Sequence, residues 1–126
     1  NKAFKMFQEI GMRIVVMNSH EHDVNACYIS HLPHLISFGL ANTVMSHQNP
    51  KEIIALAAGG FKDMSRIAKS SPRMWGDIFK QNRENMLESI KSFEDQMNEA
   101  KKMIEEERYE DLENWMKKAN SLHEIL

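Results

Sequence analysis

A long apolar stripe constrains the fold of this chain more than any other feature of its sequence. After Ser71 and Pro72, a typical helix start, apolar residues recur at spacings of mostly three and four over about 30 residues. A helix of that length spans about 45 Å, whereas a small domain is about 30 Å across. Part of this helix is therefore expected to pack against another chain. The stripe consists of Trp75, Ile78, Phe79, Met86, Leu87, Ile90, Phe93, Met97 and Ile104.

A last amphipathic helix is predicted after the charged segment EEERYED. Folded back on the long helix, it covers part of the apolar stripe. We therefore expect an antiparallel helix pair within each chain and a homodimer formed by helix packing. The apolar face of this last helix carries Leu112, Trp115, Met116, Ala119 and Leu122.

The first 18 residues follow a different pattern. Phe4, Phe7 and Ile10 have helical spacing, Gly11 suits a helix end, and the run RIVVM predicts a short strand. A single strand cannot satisfy its own backbone hydrogen bonds, and no other segment predicts a sheet. We therefore expect residues 1–18 to be a remnant αβ unit of a larger domain and residues 19–126 to form an all-α domain with long helices.

Composition excludes several classes of partner. A net charge of −2 disfavours nucleic acid and anionic membranes, and no apolar run approaches the roughly 20 residues of a membrane span. Cys27 is the only cysteine, so it has no partner for a disulfide within the chain. One cysteine is also too few for a zinc site built from thiolates. It is interpreted as a buried residue, and a cytoplasmic protein is expected.

Histidines lie beside a proline in the segment YISHLPHLISFGLAN. From about Ser19 to Met45 the pattern predicts one long helix, in which Pro33 lacks an N–H and should cause a kink that leaves a carbonyl unpaired. Two interpretations of His31 and His34 stay open: they satisfy that carbonyl, or they contact a ligand. A metal site is not predicted, because the HExxH pattern of zinc enzymes is absent.

The segment GGFKDMSRIAKS is a candidate anion site. Asp63 and Arg66 are three residues apart, so on a helical turn the carboxylate can orient the guanidinium. Lys62 and Lys69 add positive charge, and Gly59-Gly60 is predicted to form a turn that lets the backbone approach a ligand. The alternatives are a solvated surface ion pair and a site for a small carboxylate.

In this order, the segments EHD, YISHLPHLISFGLAN and GGFKDMSRIAKSSPRMWGDIFKQNRENML resemble the C-terminal, substrate-binding and dimerisation domain of bacterial prephenate dehydrogenase. The resemblance runs from about Arg13 to the end of the chain. It implies NAD-dependent oxidation and decarboxylation of prephenate to 4-hydroxyphenylpyruvate, in tyrosine biosynthesis. It also implies that residues 1–18 belong to a nucleotide-binding domain, which holds most of the NAD site and the principal catalytic histidine.

The resemblance also implies roles for residues of this chain. Arg66 binds a substrate carboxylate, Asp63 orients Arg66, and His34 hydrogen-bonds the substrate, prephenate or a related small carboxylate, and tyrosine as an inhibitor. Lys62 also contacts substrate, and Lys62 and Trp75 extend toward the site of the neighbouring subunit. His22, His31 and Ser30 are supporting residues near the cleft between the domains.

Two other functions fit the same residues. One is an arogenate-specific dehydrogenase domain, since arogenate shares the ring of prephenate. The other is a helical dimer module without catalytic activity that senses tyrosine or a similar small acid. No GxGxxG loop occurs, so by itself the chain is expected to dimerise and bind a carboxylate without turnover.

Overall fold

The computed structural model describes residues 19–126, which form helices joined by short turns and contain no strand. The predicted all-α class is confirmed for this range. The helix and strand expected within residues 1–18 lie outside the described residues. None of the helices in the described range has both the length and the apolar composition needed to cross a membrane.

The described chain divides into two compact units, one ending at Asn82 and the other comprising Arg83–Leu126. The first contains α1 (Ser19–Ala26), a π-helical turn (Cys27–His31), α2 (Leu32–Met45), α3 (Pro50–Ala55), α4 (Gly59–Arg66), a 3₁₀ turn (Ile67–Lys69) and α5 (Pro72–Gln81). The second contains α6 (Arg83–Glu105), α7 (Tyr109–Asn120) and a 3₁₀ turn (Ser121–Glu124).

The kink expected near Pro33 takes the form of the π-helical turn. Pro33 has no N–H to donate, and the preceding Leu32 N–H bonds to the carbonyl of Cys27, five residues back. A π turn adds one residue to a helical turn, so the helical path continues although the regular bonding pattern is interrupted. The disturbance lies at Cys27–His31, where the sequence predicted it.

The prediction of one helix from Pro72 to about Ile104 is wrong, because the helix breaks at Asn82. There the backbone adopts φ −115° and ψ 34°. The side-chain Nδ2 of Asn82 donates to the carbonyl of Asp23 and to Sγ of Cys27, both at 2.9 Å. These bonds tie the end of α5 to α1 and to the π-helical turn. The apolar residues keep helical spacing on both sides of Asn82, so the periodicity of the sequence does not reveal the break in the helix.

The start of α4 also differs from the sequence prediction. Gly59 and Gly60 do not form a separate turn; they are the first two residues of α4, and neither has a left-handed φ. The extended backbone of Ala58 (φ −110°, ψ −172°) opens the helix, and the Lys62 N–H bonds to its carbonyl at 3.2 Å. The predicted cap of α5 is confirmed, since Ser71 Oγ accepts from the Met74 N–H at 3.3 Å.

In the second unit, α7 runs back along α6, which confirms the predicted helix pair. The turn between them places Glu107 at φ 55°, and the Arg108 N–H bonds to the carbonyl of Met103 at 2.8 Å, as in a Schellman helix end. The indole Nε1 of Trp115 donates to Oε1 of Gln96 at 2.8 Å. The two helices are therefore joined by a polar bond as well as by apolar packing.

Large apolar side chains remain exposed in both units. Within the described range, five hydrophobic residues are buried, whereas sixteen large hydrophobic residues are exposed. On α6, Met97 and Ile104 are seven residues apart and therefore share a face, and both are exposed. An exposed apolar surface of this kind is typical of a protein interface. The exposed large hydrophobic side chains on α6 and α7 are Leu87, Met97, Ile104, Tyr109 and Met116.

We expect Asn82→Ala to lower the free energy of unfolding by about 1–3 kcal/mol, because the carbonyl of Asp23 and the thiol of Cys27 lose their donor. Urea unfolding followed by circular dichroism measures the change. Asn98→Ala, at an exposed position inside α6, is the control and should cause no such loss. Equal stability of Asn82→Ala and wild type would contradict the role given to Asn82.

Candidate carboxylate site

The rings of His31, His34 and Trp75 form one cluster in the first unit. The imidazole of His34 stacks on the indole of Trp75, with 3.7 Å between centroids and 22° between planes. His31 meets the same indole edge-on at 5.8 Å and 76°. Trp75 is only 7% exposed. Within its own chain the Trp75 side chain is buried, and two imidazoles pack against it. The expectation that Trp75 extends toward a neighbouring subunit stays a prediction.

The two ring nitrogens of His34 have different surroundings. Nδ1 lies 2.7 Å from the carbonyl oxygen of Ser30. A carbonyl can only accept, so Nδ1 carries a hydrogen and Nε2 of the neutral ring carries a lone pair. Across the described range, no protein group bonds to Nε2. This nitrogen can accept from a ligand hydroxyl or, after protonation, donate to a carboxylate.

Within this cluster, Nδ1 of His31 lies 3.8 Å from Sγ of Cys27. Burial lowers the pKa of His31, and the nearby His34 lowers it further, although Asp23 acts in the opposite direction. Burial and Asp23 raise the pKa of Cys27, against the effect of the hydrogen bond from Asn82. Cys27 is 1% exposed, which confirms the prediction of a buried cysteine.

A surface pocket of about 380 Å³ lies beside α4 and the 3₁₀ turn that follows it. Three cations and one carboxylate line it, so its local charge is positive although the whole chain is slightly acidic. Such a pocket attracts anions. Its lining residues are Lys62, Asp63, Ser65, Arg66 and Lys69.

Asp63 and Arg66 line this pocket together, but the ion pair expected between them is not formed. No carboxylate in residues 19–126 forms an ion pair with Arg66. Both side chains are exposed, and a solvated pair of this kind contributes about 0–1 kcal/mol, too little to hold two long side chains in one geometry. The guanidinium of Arg66 therefore keeps its donors for a ligand.

His22 lies apart from both groups. Its ring is exposed, with Nδ1 3.7 Å from Oδ1 of Asp23. It lines a separate pocket of about 290 Å³ together with Ser30 and Ile29. The structure thus divides the predicted residues of the first unit into three groups. These are His31, His34 and Trp75 in the ring cluster, Lys62, Asp63 and Arg66 in the cationic pocket, and His22 with Ser30.

Sequence reasoning missed the residues that hold these groups in place. Ser37 Oγ donates to the carbonyl of Met64 at 2.6 Å, and Asn82 bonds to α1 as described above. The available signal was a single polar residue inside an apolar run, LISFGL for Ser37. Nowhere in the described chain do three or more His, Cys, Asp or Glu side chains come together in a way that could hold a metal ion.

Comparison with known proteins identifies the family. A sequence model described as "Prephenate dehydrogenase, dimerization domain" matches residues 18–118. The prephenate dehydrogenase of Bacillus subtilis is 33% identical over 113 residues, which are 89% of this chain and 30% of that protein. The cyclohexadienyl dehydrogenase of Zymomonas mobilis is 36% identical over 89 residues, 69% of this chain and 30% of that protein.

A solved structure supports the same relation. The prephenate dehydrogenase of Aquifex aeolicus, crystallised with hydroxyphenyl propionate and NAD+, superposes with a TM-score of 0.84 at 35% identity. The match covers 98% of this chain and 44% of that one. The chain thus spans about a third of the length of the curated relatives it matches. The resemblance found in the sequence is confirmed: this chain belongs to the prephenate dehydrogenase dimerization-domain family.

Proposed function

We propose that this chain is the substrate-binding and dimerisation part of an NAD-dependent prephenate dehydrogenase. In that reaction prephenate is oxidised, its ring carboxylate leaves as carbon dioxide, and 4-hydroxyphenylpyruvate forms. The observation that carries the proposal is the cationic pocket around Arg66, in a chain whose family is established. The bound hydroxyphenyl propionate of the A. aeolicus relative, itself a small carboxylate, supports an anionic ligand.

Each charged residue of the pocket has a proposed task, and so has His34. Arg66 binds a substrate carboxylate through two parallel N–H donors, which a lysine cannot offer. Lys62 and Lys69 supply positive charge that draws the anion into the pocket. Asp63 lines the same pocket, and its carboxylate pairs with the Arg66 guanidinium when a ligand is bound, so that the two together fix the orientation of Arg66. His34 uses Nε2 to bond a polar group of the substrate, while its Nδ1 stays on the Ser30 carbonyl.

The described residues do not fit NAD. Nucleotide-binding glycine loops follow a strand and precede a helix, whereas residues 19–126 contain no strand, and Gly59 and Gly60 follow an extended alanine. We therefore assign no NAD contact to this range. The proposal places NAD on another part of the enzyme, so that the present chain binds substrate but has no activity alone.

Prephenate is the proposed substrate, with arogenate as the alternative. The two share a ring and differ only in whether the side chain carries a keto or an amino group. Arg66 recognises a carboxylate, which both compounds have, so the pocket alone does not separate them. Tyrosine also has a carboxylate, and we propose that it competes for the same pocket. Assays of the whole enzyme with both substrates, and with NAD and NADP, distinguish these possibilities.

In the whole enzyme we expect Arg66→Ala to raise KM for prephenate roughly 10- to 100-fold with a smaller effect on kcat, since a charged hydrogen bond made in both ground and transition states is lost. Steady-state kinetics measures both constants. Arg73→Ala is the matched control, because Arg73 is exposed on α5 and does not line the pocket. An unchanged KM in Arg66→Ala would remove Arg66 from the proposed site.

We propose a homodimer that covers the exposed apolar residues of α6 and α7. Light scattering at tens of micromolar should give twice the mass of the 126-residue chain. Met97→Glu places a charge on the exposed apolar face of α6 and should shift the protein toward monomer. Asn98→Glu adds the same charge one position along the helix and should leave the dimer intact. A monomeric wild-type chain would refute the proposal.

A further inference from the structure

Ser37 forms the one hydrogen bond that the structure shows between a side chain of α2 and α4 within the described residues. It lies in α2, three residues after His34, and is 2% exposed. Its Oγ donates to the backbone carbonyl of Met64 at 2.6 Å. Met64 lies in α4, two residues before Arg66. The bond therefore joins the helix that carries His34 to the helix that carries Arg66.

This bond holds the backbone of α4 two residues before Arg66, so it affects the position of the Arg66 side chain. The α-helix α4 ends at Arg66, two residues after Met64, and the chain continues as the 3₁₀ turn Ile67–Lys69. The backbone hydrogen bonds accepted by the carbonyls of this turn therefore depart from the α-helical pattern. Carbonyls in a last helical turn need donors from outside the helix. Ser37 supplies such a donor. Apolar packing alone would allow the two helices to slide by a fraction of a turn, whereas a buried, directional bond fixes their register.

We propose that Ser37 is a positioning residue for substrate binding. By fixing the last turn of α4 against α2, it sets the place of the Arg66 guanidinium relative to Nε2 of His34. One ligand can then bond to both groups at once. This inference rests on the proposed function of the Arg66 pocket. It adds a requirement that the pocket alone does not imply: substrate affinity depends on a buried hydroxyl that does not line the pocket.

The test uses the whole enzyme and steady-state kinetics. Ser37→Ala should raise KM for prephenate about tenfold with little change in kcat, since a displacement of about 1 Å at a binding group has effects of this size or larger. In the Arg66→Ala background the same substitution should raise KM no further, because the group that Ser37 positions is already absent. Ser37→Cys keeps the shape with a weaker donor and should give a smaller increase.

Ser89→Ala is the matched control. Ser89 is also buried, and its hydroxyl also donates to a backbone carbonyl, that of Met86, but it belongs to α6 and does not line the pocket. Its KM should equal that of wild type. If Ser37→Ala has a normal KM in an active enzyme, or raises KM equally with and without Arg66, the positioning role is refuted. A wild-type enzyme inactive on both prephenate and arogenate refutes the proposed function instead.

Discussion

The missing N–H of Pro33 is the constraint on which the functional part of this structure depends. A proline inside a helix removes one backbone bond, and here the chain responds with the π turn Cys27–His31. Next to that turn, Nδ1 of His34 bonds to the Ser30 carbonyl, and the rings of His31 and His34 both pack on Trp75. A local defect in the helix thus fixes the tautomer of His34 and points its second nitrogen away from the backbone.

The candidate site combines a rigid part and a solvated part. The ring cluster is packed around an indole that is almost fully buried, whereas the cations beside α4 are exposed and Arg66 is held by no carboxylate of the described chain. A carboxylate ligand bound in the pocket would supply the negative charge that the Arg66 guanidinium lacks. The hydrogen bond between Ser37 and the Met64 carbonyl connects the helices that carry the two parts. Under the proposed function, this bond sets the backbone in advance and the Arg66 side chain orders when a ligand binds.

Much of the fold was predictable from local chemistry. The Ser71 cap, the disturbance near Pro33 and the pairing of α6 with α7 all follow from residue types and spacing, and all three are confirmed. The break at Asn82 was not predictable, because the apolar spacing is the same on both sides and the cause is a bond to α1, 59 residues earlier. Gly59 and Gly60 were misassigned because glycine tolerates a helix start as well as a turn.

The sequence by itself determined the helical class and the types of residue available for binding an anion, and its motifs identified the family. These depend on periodicity, on charge and on the order of short segments, all of which are local properties. Only the tertiary structure decided which residues meet. It placed Trp75 inside its own chain, left Arg66 without the Asp63 ion pair, and revealed Ser37 as the connection between two helices. The contacts of Trp75 and Ser37 join residues distant in the chain, about which spacing along the sequence carries no information. The Asp63 ion pair is local in sequence, but solvation of two exposed side chains decides whether it forms.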